Sequence, residues 1–226
     1  MKAISVRRPN RAAAGFTLIE LLLVMAIIAA LAALTFGILK PANKLEKLDV
    51  ARAEMKRIES ALADYHGLYN TYPPGNPTNS AVSGLYYELT GVNHIGTNYQ
   101  TLDGASSVGI NGYAATFNTG GVINSTKPPG GSENRPPQNF LLNLKPNQVG
   151  TYTSQNVAYN LLVTSVGGPD DGYLSTLAAQ GFAGNPFNYA FPGTNNPNTY
   201  DLWIDLKIAG KIYLICNWDD KPHALN

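Results

Sequence analysis

Apolar and polar positions divide the chain into stretches of different character. Between residues 16 and 39 apolar side chains follow one another without a period, and Glu20 is the only ionisable group among them. Ala, Leu and Met dominate this run and no proline interrupts it, so it predicts a helix. At ~1.5 Å per residue it is roughly 36 Å long, enough to cross a bilayer core of about 30 Å. After Lys40-Pro41 a helical period sets in: Leu45, Leu48, Met55, Ile58, Leu62 and Tyr65 draw one apolar stripe, as a helix packed on a sheet requires. The other face carries Lys47, Glu54, Arg57 and Asp64, with Asp49/Arg52 and Glu54/Arg57 spaced for ion pairs along the helix. Pro41 predicts a kink or a boundary between the two helical stretches. The helix is expected to end near His66-Gly67, because Tyr72-Pro73-Pro74-Gly75 forbids its continuation.

Residues 82–89 predict a second, short helix across the sheet. Residues 91–160 are rich in Asn, Gly, Thr, Ser and Pro and poor in charge, which predicts a long loop-rich insertion. Between Gly120 and Gly150, residues 140–144 (Phe-Leu-Leu-Asn-Leu) are the one local apolar cluster able to dock on a core. Phe187, Tyr189 and Phe191 alternate as a half-buried strand does; a turn at 192–197 and strands at 200–204 and 211–216 follow. The expected fold is α+β, a long N-terminal helix whose second half packs on a small antiparallel C-terminal sheet, at about 172–220, with the insertion outside it.

Charge sharpens the picture at the N-terminus. Residues 1–15 hold Lys2, Arg7, Arg8 and Arg11 and no acidic group, so they should stay on the cytoplasmic side and place everything after residue 39 across the membrane. A carboxylate at the middle of a membrane costs about 2.5 kcal/mol or more, so Glu20 calls for a partner. An ordinary secretory signal has its small-residue cleavage site after the apolar region; here Ala12-Ala13-Ala14-Gly15 stands before it. Over the whole chain charge is nearly balanced, 16 basic against 15 acidic residues, so no basic excess survives outside the leader and no nucleic-acid partner is expected.

Candidate chemistry is sparse. Cys216 is the single cysteine, so no intramolecular disulfide is available, and its flanks Leu214-Ile215-Cys216-Asn217-Trp218 read as a buried strand rather than a reactive thiol. His66, His94 and His223 lack zinc spacing. The pairs Asp170-Asp171 and Asp219-Asp220 stand in turn-like contexts and read as loop residues rather than a catalytic dyad. Asn124-Ser125-Thr126 fits a glycosylation acceptor pattern, which is a weak signal here. No enzyme is expected.

The order basic leader, Gly15-Phe16-Thr17-Leu18-Ile19-Glu20, apolar helix resembles the class III signal of type IV pilins and type II secretion pseudopilins. The resemblance implies cleavage after Gly15, methylation of Phe16 as the new first residue, and pairing of the Phe16 amine with Glu20 of a neighbouring subunit during assembly. A proline that often breaks this helix in the family is absent, and Gly37 lies near its place. Tyr69-Asn70-Thr71-Tyr72-Pro73, Gly172-Tyr173-Leu174, Gly184-Asn185-Pro186-Phe187-Asn188-Tyr189, Asp201-Leu202-Trp203 and Ile215-Cys216-Asn217-Trp218-Asp219 look most like the major pseudopilin. Between the last two elements the chain departs from the family: Ile204 replaces a serine, and residues 205–210 lack the acidic calcium loop. Calcium takes about six to eight oxygen ligands, and only Asp205, Asp219 and Asp220 are near enough in sequence to help; the alternative is a tight strand turn without metal.

By this resemblance residues 1–15 are a cleaved leader, 16–39 the transmembrane and filament-core helix, and 40–226 a periplasmic domain anchored in a bacterial inner membrane. The implied partners are copies of the chain itself, a prepilin peptidase, minor pseudopilins, and the inner-membrane secretion platform with its ATPase. The implied function is that of a pseudopilus subunit driving export of folded periplasmic proteins. Alternatives are a type IV pilus, competence or adhesion filament, and a membrane-anchored binding protein that never polymerises.

Overall fold

The computed structural model of the protein describes residues 17–131, 135–166, 172–208 and 210–225, with side chains for all of these except 33–43, 131, 172 and 173. The chain separates into two compact units, Met1–Asn43 and Lys44–Asn226, at a boundary just past Pro41. Helix α1, Leu18–Tyr69, contributes to both.

In the first unit nothing covers the described helix. Leu18, Ile19, Leu21, Leu22, Leu23, Met25, Ile27, Ile28 and Leu31 are all more than half exposed. With apolar residues all round, this segment has no face of its own to bury.

In the second unit α1 behaves oppositely. Leu48, Ala51, Met55, Ile58, Ala61, Leu62 and Tyr65 are buried in one core. The stripe starts one step later than its pattern predicts, since Leu45 is 59 % exposed. Beside it Lys44 reaches over the Tyr213 ring, 4.5 Å from its centroid. The anticipated ion pairs along this helix do not form. Arg52 donates instead to the carbonyl of Asp220 at 2.7 Å, Arg57 donates to the carbonyl of Leu142, and Glu54 accepts from Gln148, Thr164 and Ser165. An exposed pair along a helix is worth only ~0.2–0.5 kcal/mol, so partners offered by the rest of the fold prevail. The helix also runs past Gly67 to Tyr69 and stops at Asn70, whose positive φ of 55° turns the chain as Asn readily does.

After α1 come α2 (Leu85–Thr90), strands β1 (Val92–Ile95), β2 (Asn98–Thr101) and β3 (Ser107–Gly109), helix α3 (Ile110–Phe117), the hairpin β4 (Val149–Ser154) and β5 (Val157–Thr164), and helix α4 (Gly172–Ala179). Strands β6 (Phe182–Ala183) and β7 (Asn185–Pro186) flank the hairpin, and β8 (Asn188–Ala190), β9 (Asp201–Ile208), β10 (Lys211–Cys216) and β11 (His223–Leu225) close the chain. All strand pairs are antiparallel, in sheets ordered β1-β2-β3, β6-β4-β5-β7 and β11-β10-β9-β8. The arrangement is α+β. Along β9, Leu202, Ile204, Leu206 and Ile208 alternate into the core, the period-two pattern of a sheet with one covered face.

Two segments differ from the sequence reading. Residues 172–179 form α4 rather than the start of the C-terminal sheet, which extends to Leu225. Residues 91–160 hold far more regular structure than their composition predicts, and they contribute Val92, Tyr99, Val108, Tyr113, Phe117, Val122 and Tyr159 to the core. Tyrosine makes this possible. Tyr87, Tyr113, Phe117 and Tyr159 meet edge to face or tilted, with ring centroids 4.6–5.8 Å apart, so aromatic area replaces the aliphatic runs that a core segment ordinarily shows. Gly91 ends α2 at φ +74°, and a Cβ there would stand 2.9 Å from the carbonyl oxygen of Gln138. The residue-140 cluster docks as anticipated through Leu141, while Leu142 is 66 % exposed.

Candidate functional site: the tip of the first helix

Of the residues singled out at the N-terminus, Gly15, Phe16 and the leader lie outside the described residues; Thr17 and Glu20 lie within them. Thr17 stands immediately before α1. Its N–H and its hydroxyl both donate to Glu20 Oε2 at 2.8 Å, and the Glu20 N–H returns to Thr17 Oγ1 at 3.3 Å. This is a capping box: each side chain satisfies the other's backbone N–H at the start of a helix. The Leu21 N–H donates to the Thr17 carbonyl at 3.2 Å and begins the helical ladder. Thr-x-x-Glu is legible in the sequence as a cap, and that signal identifies Thr17 as the residue orienting the Glu20 carboxylate.

Glu20 Oε1 has no hydrogen-bond partner among the described residues. The carboxylate is therefore half engaged: one oxygen holds the helix start, and the other can take a cation without breaking the cap. Behind it stands only exposed apolar surface.

The second unit is organised around a buried carboxylate that sequence reasoning did not single out. Glu88 on α2 is fully buried. Its oxygens accept from Tyr65 Oη at 2.9 Å, the Ile123 N–H at 2.9 Å and the Asn124 N–H at 3.1 Å. Burial pushes its carboxyl up to about 7, while these three donors pull the other way. Asn124, also buried, donates to the carbonyls of Glu88 and Gln138 at 2.7 and 2.6 Å, and accepts from Tyr69 Oη and the Gln138 N–H at 2.8 Å. Together they tie the 122–138 segment to α1 and α2. Burial of Asn124 also removes the glycosylation reading. A Glu or Asn in sequence reads as surface, so only the fold exposes this role.

The three aspartates considered for calcium are dispersed. Asp205 sits within β9 opposite Leu214. Asp219 accepts from the Lys221 N–H and pairs with His223 Nε2 at 2.8 Å, which hold its carboxyl below the usual range. Asp220 gives only its carbonyl, to Arg52. Among the described residues no group of three or more His, Cys, Asp or Glu side chains could hold a metal ion. The chain passes from β9 to β10 within two residues, 209 and 210. Asp201 instead closes the loop before β9, accepting from the N–H groups of Thr194, Asn195 and Asn196 at 2.7–2.9 Å. Cys216 is buried at the end of β10, and burial raises its thiol, consistent with an inert core position. Asp170 and Asp171 lie outside the described residues.

Comparison with known families places the prokaryotic N-terminal methylation motif at residues 10–36. The chain carries a class III prepilin signal. That signal supports a type IV pilin-like subunit, implies processing by a prepilin peptidase and assembly into a filament, and points to membrane anchoring through the N-terminal region. Neither the curated proteins nor the solved structures contain a match to the chain. Among the described residues no helix is long and apolar enough to cross a membrane; the expected span reaches into 33–43, whose side chains lie outside the description.

Proposed function

We propose that this chain is the major structural subunit of a type II secretion pseudopilus. The observation that carries the reading is the uncovered apolar helix directly behind a prepilin signal, with Glu20 oriented at its tip and one carboxylate oxygen unengaged. Cleavage after Gly15 frees an amine at Phe16. A subunit leaving the bilayer brings that amine to Glu20 of a subunit already in the filament, so two groups that are each costly in an apolar medium satisfy one another. The apolar helices bundle into the filament core. A cytoplasmic ATPase acting through an inner-membrane platform would drive extraction, minor pseudopilins would assemble with the filament, and the 44–226 unit would face the periplasm.

The choice of a secretion pseudopilus over a pilus rests on the Ile215-Cys216-Asn217-Trp218-Asp219 ending and on the single cysteine, since pilins of the resembling family often close their C-terminal loop with a disulfide. The second reading, a type IV pilus, competence or adhesion filament, would present the exposed parts of the folded 91–160 region at the fibre surface. Glu20→Ala in the native host should leave the subunit in the membrane at its normal level and reduce sheared or cross-linked filaments at least tenfold. Normal filament yield from that variant contradicts the proposal. Loss of export of folded proteins on deletion of the chain selects the pseudopilus; intact export with lost surface fibres selects the pilus.

A further inference from the structure

The residue-140 cluster does more than dock on the core. With α2 and the end of β2 it encloses a cavity of about 250 Å3. That is below the about 300–1,000 Å3 of pockets that take drug-sized ligands, and suits a single ring. Its apolar lining is Leu102, Leu141, Leu144 and Val149; Asp103, Asn139 and Asn143 also line it. Asp103 is the one charged side chain there among the described residues. The walls are fixed without a ligand. The Phe140 N–H donates to the Leu89 carbonyl at 2.8 Å, Arg57 donates to the Leu142 carbonyl, and Gln148 donates to Glu54 at 2.9 Å, so the segment 139–149 is held to α1 and α2. Asp103 Oδ1 accepts from the Thr101 hydroxyl at 2.6 Å and the Ala105 N–H at 2.9 Å, which hold its carboxyl below the usual range. Its Oδ2 makes no hydrogen bond among the described residues. Asn139 Oδ1 accepts from the Leu141 N–H at 2.8 Å, while its Nδ2 and the whole Asn143 amide are unengaged among those residues.

We infer that this cavity binds the ring of a neutral hexose, with hydroxyls on Asp103, Asn139 and Asn143 and the C–H face of the ring on the leucines. A carboxylate oxygen asks for a donor and an amide N–H for an acceptor, and a hydroxyl is both. An ammonium group supplies donors alone, and an anionic ligand meets Asp103 with like charge. Calcium needs about six to eight oxygen ligands, and a single carboxylate lines the cavity. Because the walls are already in place, little ordering cost opposes binding. The site lies wholly within the Lys44–Asn226 unit. It therefore serves a filament subunit and an anchored binding protein alike, and stands or falls separately from filament assembly.

The test uses the full-length chain, purified from membranes in a sugar-free detergent, and saturation-transfer NMR titrations with the methyl glycosides of glucose, galactose and mannose. At least one of the three should take up saturation from the protein, and glucuronate should not. Asp103→Asn keeps the oxygen that Thr101 and Ala105 bond and should weaken that binding at least tenfold. Asn143→Gly keeps the left-handed backbone of φ 59° and should weaken it at least threefold, with protease resistance unchanged in both variants. A tetrasaccharide of the bound sugar that binds no better than the monomer assigns a free sugar; one that binds at least tenfold better assigns a polysaccharide, and both results support the site. Failure of all three glycosides to bind, glucuronate binding as tightly as they do, or a folded variant that binds like the unchanged chain would each overturn it. None of these outcomes touches the filament reading, which is decided by assembly.

Discussion

Helix α1 meets two opposite fates along its length. Before residue 33 its apolar side chains stand in the open, Leu18 at 80 % and Leu22 at 63 % exposure; from Leu48 onward the apolar stripe is covered almost completely, with Leu62 and Tyr65 at 0 %. The difference lies in the pattern. A helix apolar on every side cannot be covered by one small sheet, so its cover must come from lipid or from other copies, whereas a helix with one apolar stripe is satisfied within its own chain. On the proposed reading the first part is an assembly element and the second a folding element.

The largest expected effect separates these roles. Met55→Ala removes a side chain that is 1 % exposed and should destabilise the 44–226 unit by ~2–5 kcal/mol, seen as a lower urea midpoint. Leu22→Ala should change the same unfolding by less than ~0.5 kcal/mol and act instead on filament yield. If Leu22→Ala unfolds the second unit, the division is wrong.

Next comes the buried carboxylate. In the folded state Glu88 titrates near 7, against about 4.5 when unfolded, so the folded protein binds the proton more tightly. The group's contribution to stability is therefore full below about pH 4.5 and is lost as pH rises through 7. Across that window the 44–226 unit should lose up to ~3 kcal/mol of unfolding free energy, and Glu88→Gln should flatten the slope while lowering stability overall, because the amide group of Gln offers donors where the Ile123 and Asn124 N–H groups need acceptors. A pH slope that survives in Glu88→Gln would assign it elsewhere. Below about pH 4, loss of the Asp103 and Asp219 carboxylates acts in the opposite sense.

Legibility in the sequence followed the same division. Ile58, Leu62 and Tyr65 could be placed in the core from period alone, and the strands around Trp203 and Ile215 from alternation, because in both places burial has a simple repeat. The 91–131 segment could not be read so, since its core is made of scattered tyrosines, Tyr99 and Tyr113 among them, held by ring-to-ring contacts that leave no run of aliphatic residues. Glu88 and Asn124 were invisible for a related reason: their partners Tyr65 and Gln138 are distant in sequence. The tip of α1 was legible as a signal, and its capping box was present in the spacing of Thr17 and Glu20.

The smallest effect concerns that cap. Thr17→Ala removes the hydroxyl that Glu20 Oε2 accepts from and should slow assembly less than Glu20→Ala does, with Thr17→Ser restoring it; this is the pattern of a positioning residue. Equal loss in both alanine variants would give Thr17 a role beyond orienting the carboxylate.

The most direct test of the assembly role is mass spectrometry of the mature N-terminus, taken from membranes of the native host. The account predicts a chain beginning at N-methylated Phe16, with the leader gone and the apolar helix retained. An intact leader, or a cut beyond the apolar run, would contradict it and make an anchored or secreted binding protein the better description.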